Sequence, residues 1–177
     1  MIIVKKVGTE SIPVIQELAL ATWAVAYAPI LSPAQMKYML DLFYSTSSLQ
    51  KQMQEGHRFI IAKEADAPVG FASWSHAESS LQGNEAIPIK KNVYRLHKIY
   101  IDPNQQGKGI GKTLLDFIIN DIRPKGATDL ELNVNRYNKA LQFYQKFGFI
   151  IIKEEDIDIG KGYFMNDYVM NMSLKGM

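Results

Sequence analysis

Apolar positions recur along this chain in two periods, and the switches between them mark out its elements. Ile2–Val7 reads as a short strand. Behind Ser11 and Pro13, Ile15, Leu18, Ala19 and Thr22 recur at helical spacing. Ser32 and Pro33 open a second helix by the same capping chemistry, with Met36, Met39, Leu40 and Phe43 on one side. A short helix is expected over 47–54. Strands are expected at 59–62 and 69–75, around a turn at 65–68, and the polar stretch 79–88 reads as a mobile loop. Val93–Ile101 is a β-branched and aromatic run, the expected central strand. Ile110, Leu114, Leu115, Ile118, Ile119 and Ile122 then form an amphipathic helical stripe, closed by Arg123-Pro124-Lys125-Gly126. Leu130, Leu132 and Val134 alternate as the next strand. Asn138 can cap a helix carrying Ala140, Leu141, Tyr144 and Phe147, ended by Gly148. Residues 149–152 and 163–174 read as the last two strands, with 154–161 as their connection. The order is β-α-α-β-β-β-α-β-α-β-β. That predicts an α/β fold: one mixed central sheet of about six to seven strands with helices on both faces. Residues 1–177 read as a single domain, without repeat or linker.

Composition narrows the function classes. The 177 residues are 47% apolar and 21% charged, an ordinary globular balance. A net charge of +2, with no lysine/arginine stripe, gives no footprint for nucleic acid. The absence of cysteine removes disulfides, a thiol nucleophile and thiolate metal sites. His57, His76 and His97 lack metal-ligand spacing, so no metal is expected. No apolar run approaches the ~20 residues of a membrane span. The N-terminal stretch reads as a strand rather than a signal peptide. A soluble, cytoplasmic protein is the expectation, monomeric or a homodimer.

The chemistry concentrates between the central strand and the helix after it. Asp102-Pro103-Asn104 is turn chemistry, and Gly107, Gly109 and Gly111 follow at alternate positions. The first amides of a helix lack intrahelical partners and sit at the positive end of its dipole. Glycines let a phosphate approach them. Three phosphate cradles compete for this stretch. The dinucleotide fingerprint fails where its third glycine would fall on Lys112. The P-loop fits Gly111-Lys112-Thr113, but Gln106 stands where its first glycine belongs. The pattern Q/R-x-x-G-x-G/A is met in full by Gln106, Gly109 and Gly111. A strand–helix turn with no ligand is the plain alternative.

That pattern resembles the pyrophosphate loop of the GNAT superfamily of N-acetyltransferases. Tyr144-x-x-x-Gly148-Phe149 resembles a second segment of the same superfamily, at about the right distance downstream. The two motifs and the element order cover most of the chain from about Phe59 to Leu174.

The resemblance implies acetyl-CoA as cosubstrate, its pyrophosphate on the amides of Gly107, Lys108, Gly109, Ile110, Gly111 and Lys112. It implies that the strands at 93–101 and 129–134 run parallel but splay. The pantetheine arm would enter the gap and pair with the backbone of Ile99, Tyr100 and Ile101, as a ligand adding a strand. Backbone donors would hold the oxyanion formed when an amine attacks the thioester. Tyr144 is the implied proton donor to the leaving thiolate; its alternative is a core aromatic. A phenol near its ordinary pKa of about 10 suits that role only when positioned. His97, two residues before Ile99 and so on its face of the strand, is the candidate base for the acceptor ammonium, or a structural histidine. Asn138, or Asn135 in its place, would contact the CoA arm; capping is the other role open to Asn138. Lys108 and Lys112 would add modestly.

Trp23 and Tyr27 stand where helices of the superfamily wall the acceptor site, where aromatic faces could hold a cationic amine. Helix–sheet packing is their alternative role. The run Gly162-Tyr163-Phe164-Met165-Asn166-Asp167-Tyr168-Val169-Met170 is similar to bacterial spermidine/spermine acetyltransferases of the superfamily. A small amine or polyamine is therefore the expected acceptor. A peptide N-terminus or lysine, a non-catalytic acyl-CoA-binding module, and a P-loop hydrolase are the other readings.

Overall fold

The structure is a computed structural model that describes residues 1–77 and 92–176. The loop expected at 79–88 lies outside the described residues. Seven strands form one sheet: β1 (Ile2–Val7), β2 (Arg58–Glu64), β3 (Ala67–His76), β4 (Val93–Ile101), β5 (Asp129–Asn135), β6 (Ile150–Gly160) and β7 (Tyr163–Ser173). Their spatial order is β1-β2-β3-β4-β5-β7-β6. Every pairing is antiparallel except β4 with β5.

Helices cover both faces. On one side lie α1 (Ile12–Ala26), α2 (Pro33–Tyr44) and α3 (Thr46–Gln54). Ile15, Leu18, Trp23, Leu49, Phe59, Ile61 and Phe71 make the core between them and β2–β3. On the other side α4 (Ile110–Ile122) and α5 (Ala140–Phe147) bury Leu114, Leu115, Ile118 and Ile122 against Trp74, Leu96, Leu130 and Leu132. Three helices thus separate β1 from β2, the short third one falling where it is expected. Ser32 and Ser45 cap α2 and α3 by accepting the amides of Gln35 and Ser48. Ser11 makes no such bond before α1. No described helix is long and apolar enough to cross a membrane.

The last hairpin differs from its reading. β6 does not stop at Ile152 but continues to Gly160, and the turn is only Gly160-Lys161-Gly162. The acidic stretch 154–158 is therefore strand, not connection. β6 is a sheet edge exposed along most of its length, so burial does not impose an apolar alternation on it. Charges on such an edge discourage pairing with other chains. α2 clamps the end of this hairpin. Tyr38 donates its hydroxyl to the Ile159 carbonyl at 2.6 Å, and Gln35 donates to the Phe164 carbonyl at 2.9 Å.

Candidate active site

The site begins where β4 and β5 part. Their parallel register runs only from Val93↔Asp129 to Leu96↔Leu132. Beyond Leu96, β4 remains paired with β3 up to Ile101, and β5 remains paired with β7 up to Asn135. Among the described residues, the side of β4 that faces β5 therefore has no strand partner from His97 to Ile101, as the expected splay requires.

The glycine loop follows β4 directly. Asp102 accepts the Asn104 amide at 2.9 Å and opens a single helical turn at Pro103–Gln105. Gln106 is extended. Gly107 and Gly109 take φ of 80° and 79°, the left-handed region that penalises any side chain. A Cβ on either would meet nothing within 4 Å, so their need is backbone freedom, not room. Gly111 is different. A Cβ there would stand 3.1 Å from the Phe143 ring of α5, so it is small to let α5 seat on α4. Gly109 caps α4 without a side chain, leaving the first-turn amides at Ile110–Lys112 uncapped by one. This loop fits a pyrophosphate. Lys112 pairs with Asp116 at 2.6 Å and Lys108 with Glu64 at 3.4 Å, both at the surface.

His97 does not sit where the strand's alternation predicts. Ser73 opposes Lys98 while Trp74 opposes Leu96, so His97 is the extra residue of a β-bulge. A bulge reverses the facing of what precedes it. Ile99 packs on the α4 side, whereas His97 turns to the α1–α3 side. There its Nε2 lies 2.8 Å from Ser75 Oγ, and its ring stacks on His57 at 4.0 Å. Burial first, then His57, Lys98 and Arg95, push its pKa down to about 2. Burial, then Lys98, lowers His57 to about 4. Lys98 itself is buried, donates to Gln52 at 2.7 Å, and is lowered by burial to about 7. The expected placement of His97 on the face of Ile99 is corrected by the bulge: it lies on the α1–α3 side, held between Ser75 and His57, where burial disfavours its protonated form.

Around the open end of the splay stands a set of aromatic and polar side chains. Trp23 is 3% exposed, and its ring packs on Tyr27 at 4.4 Å, Tyr44 at 5.7 Å and Tyr100 at 6.3 Å. Its faces are taken by core neighbours, so it offers none to an acceptor. Tyr27, at the end of α1, lies within electrostatic reach of Tyr100 and of the Asn138 side chain, and burial raises its phenol well above the ordinary value. Asn138 also accepts the Ala140 amide at 2.9 Å, so it caps the first turn of α5 while reaching the splay. Asn135 accepts the Tyr137 amide in the same way, also at 2.9 Å. Tyr144 is buried on α5 against Phe143 and Phe149, with its phenol close enough to Tyr27 to feel its charge. Burial, then Tyr27, pushes the Tyr144 phenol well above its ordinary value. It therefore stays protonated through pH 10, where the ordinary phenol pKa would have it half ionised.

One group here was not singled out from the sequence. Asp167 of β7 is 6% exposed and opposes Asn135 in the ladder. Burial raises its pKa to about 6, against a hydrogen bond from Asn133. Arg95 donates to Asn133 Oδ1 at 2.7 Å, which turns the amide nitrogen toward the carboxylates of β6 and β7. The signal was present. Met165 and Val169 flank Asp167 on one face of a strand, an aspartate placed between two apolar neighbours. Two shallow cavities of about 210 and 230 Å³ lie around Arg58, away from the splay and the glycine loop. Among the described residues no cluster of His, Cys, Asp or Glu could hold a metal ion.

A splayed parallel pair feeding a glycine-rich helix start defines an acyl-CoA-dependent transferase scaffold. The chain belongs to the GNAT family: the model of the acetyltransferase (GNAT) domain matches residues 27–164. It is an acetyl-CoA-dependent N-acetyltransferase. The spermidine N(1)-acetyltransferase of Thermoplasma acidophilum is 29% identical over 163 residues, spanning 92% of this chain and 94% of that protein. The crystal structure of the PaiA N-acetyltransferase from Thermoplasma acidophilum in complex with coenzyme A superposes with a TM-score of 0.77. It is 26% identical and covers 98% of this chain and 99% of its own. The [ribosomal protein bS18]-alanine N-acetyltransferase of Haemophilus influenzae is 39% identical, but over 39% of this chain and 44% of that protein.

Proposed function

We propose that the acceptor is a small primary amine or polyamine. The observation that carries this is the end-to-end similarity to a spermidine N(1)-acetyltransferase, 92% of this chain, where relatives named for ribosomal-protein and peptidyl-lysine acetylation match 39% and 63% of it. The acidic surface of the last hairpin suits a cationic acceptor. A free-thiol release assay with a panel of polyamines, short diamines, peptide N-termini and lysine peptides tests it. Polyamines are expected to give the highest kcat/KM; preference for a peptide would move the assignment to protein acetylation.

Acetyl-CoA, when bound, supplies the acyl group as an activated thioester. The amides of Gly107 to Lys112 and the start of α4 would hold its pyrophosphate, with Lys108 and Lys112 adding little from their surface ion pairs. The unpaired side of β4 at Ile99–Ile101 offers fixed backbone donors and acceptors to the arm and to a developing oxyanion. Asn138 meets the arm from the other wall, and Tyr27 closes the space between them. Tyr144 gives its proton to the sulfur leaving group. Its high pKa keeps that proton in place until negative charge develops beside it.

A further inference from the structure

Among the described residues, Asp167 of β7 is a buried carboxylate at the open end of the splay to which the reading so far gives no role. We propose that Asp167 receives the ammonium group of the acceptor and takes its proton. This rests on the reading of the acceptor as an amine.

Glu131 and Asp167 are the two buried acids among the described residues. Glu131 has Arg95 at 3.5 Å. Asp167 has no ion pair among the described residues; it has only the Asn133 side chain. The groups that face it are Tyr27 from α1, Asn133 from β5, Glu155 and Asp156 from β6, and Arg136 from the segment after β5. Arg136, the near cation, is held by Glu154 at 3.0 Å and by Asp156. Lys153 is held by Glu155 at 2.8 Å. Arg136 and Lys153 are thus paired with Glu154, Asp156 and Glu155, and Asp167, which feels Arg136 only as a neighbour of those pairs, is the buried carboxylate without an ion pair of its own among the described residues. A buried carboxylate without a cation is unfavourable unless something supplies the charge. It stands on the α1 side of the sheet, on the same face of β7 as Met165 and Val169 and within electrostatic reach of Tyr27.

The protons balance. An ammonium nitrogen carries three. One stays on the product amide and one ends on the thiol by way of Tyr144. The third passes to the Asp167 carboxylate and on to solvent, leaving the nitrogen lone pair free to form the bond to the acyl carbon.

The test pairs a variant with a titration. Asp167→Asn keeps shape and the Asn133 contact while removing the acceptor oxygen's charge. Its kcat/KM for spermidine at pH 7.5 should fall roughly a hundredfold. The lower limb of the pH profile near 6 should go with it. In the wild-type enzyme with CoA bound, the Asp167 carboxyl is followed by carbon-detected NMR. Added spermidine should move its titration to lower pH, which a merely structural carboxylate would not show. If spermidine is acetylated but neither the titration nor the limb moves, Asp167 is not the acceptor and the proposed function stands. If the titration moves without acetylation, the ammonium site stands and the choice of polyamine falls. If spermidine does neither, both are overturned.

Discussion

Single residues carry the sharpest expectations. Tyr144→Phe should leave fold and acetyl-CoA affinity nearly unchanged and lower kcat by roughly 10²–10⁴-fold, the worth of a positioned proton donor. Steady-state rates beside calorimetry check it; a full kcat would return Tyr144 to the core. Because burial holds that phenol well up, its ionisation should not bend the pH profile below pH 10. Asp167 shows the opposite side of a functional group. Its folded carboxyl titrates near 6 against about 3.9 in an unfolded chain. The fold holds that proton more tightly, so stability falls as pH rises from about 4 to 6 and stays lower above. Asp167→Asn should therefore raise Tm at pH 7.5 by several degrees, an upper limit of about 3 kcal/mol, and lose that advantage near pH 4. Equal Tm values at pH 7.5 would show that the carboxylate is not strained. The histidines have the other sign. His57 and His97, lowered to about 4 and 2, take protons in the unfolded chain but not in the fold. Their contribution is present above pH 6.5 and is lost as pH falls below it. His97→Gln, which can still meet Ser75, should flatten the loss between pH 6.5 and 5 in urea titrations.

At the level of elements, the glycines of the loop separate by cause. Gly109→Ala should weaken acetyl-CoA binding and cost about 1 kcal/mol, because its φ of 79° disfavours a Cβ. Gly111→Ala should act by displacing Phe143, 3.1 Å away. Phe143→Leu should then rescue Gly111→Ala but not Gly109→Ala, as read by calorimetry with acetyl-CoA. The sequence made the loop, α4 and the Tyr144 helix legible because each combines a period with a terminator. Gly109 before Ile110 and Gly148 after Phe147 bound helices whose apolar stripes leave no other register. It did not make the bulge legible. Nothing in Leu96-His97-Lys98 announces an extra residue, since the irregularity is a property of the pairing with Ser73 and Trp74. β6 was hidden for a related reason: an exposed edge need not alternate. Asp167 was legible as an aspartate between Met165 and Val169, but that it has no ion pair of its own among the described residues is a fact of three dimensions.

Over the whole molecule, the fold divides its labour between two faces. The α4–α5 side holds a continuous apolar core that fixes the glycine loop against the sheet. The α1–α3 side covers β2 to β4 with aromatic rings and leaves polar side chains along β5 and β7. The acyl donor and the acceptor can thus approach one opening from different directions. The joint itself has a mechanical consequence. Four antiparallel strands on one flank and three on the other share four rungs of strand pairing, from Val93 to Leu96, with Thr128 donating to the Asn92 carbonyl just before them and Arg95 reaching Asn133 and Glu131 through its side chain. The sheet is two panels on a short hinge line, and a ligand lying along Ile99–Ile101 acts as a latch across it. Amide hydrogen exchange should read the latch directly. Acetyl-CoA should slow exchange at residues 97–101 on β4 and at the far end of β5 together, while β1 and β6 at the outer edges keep their rates.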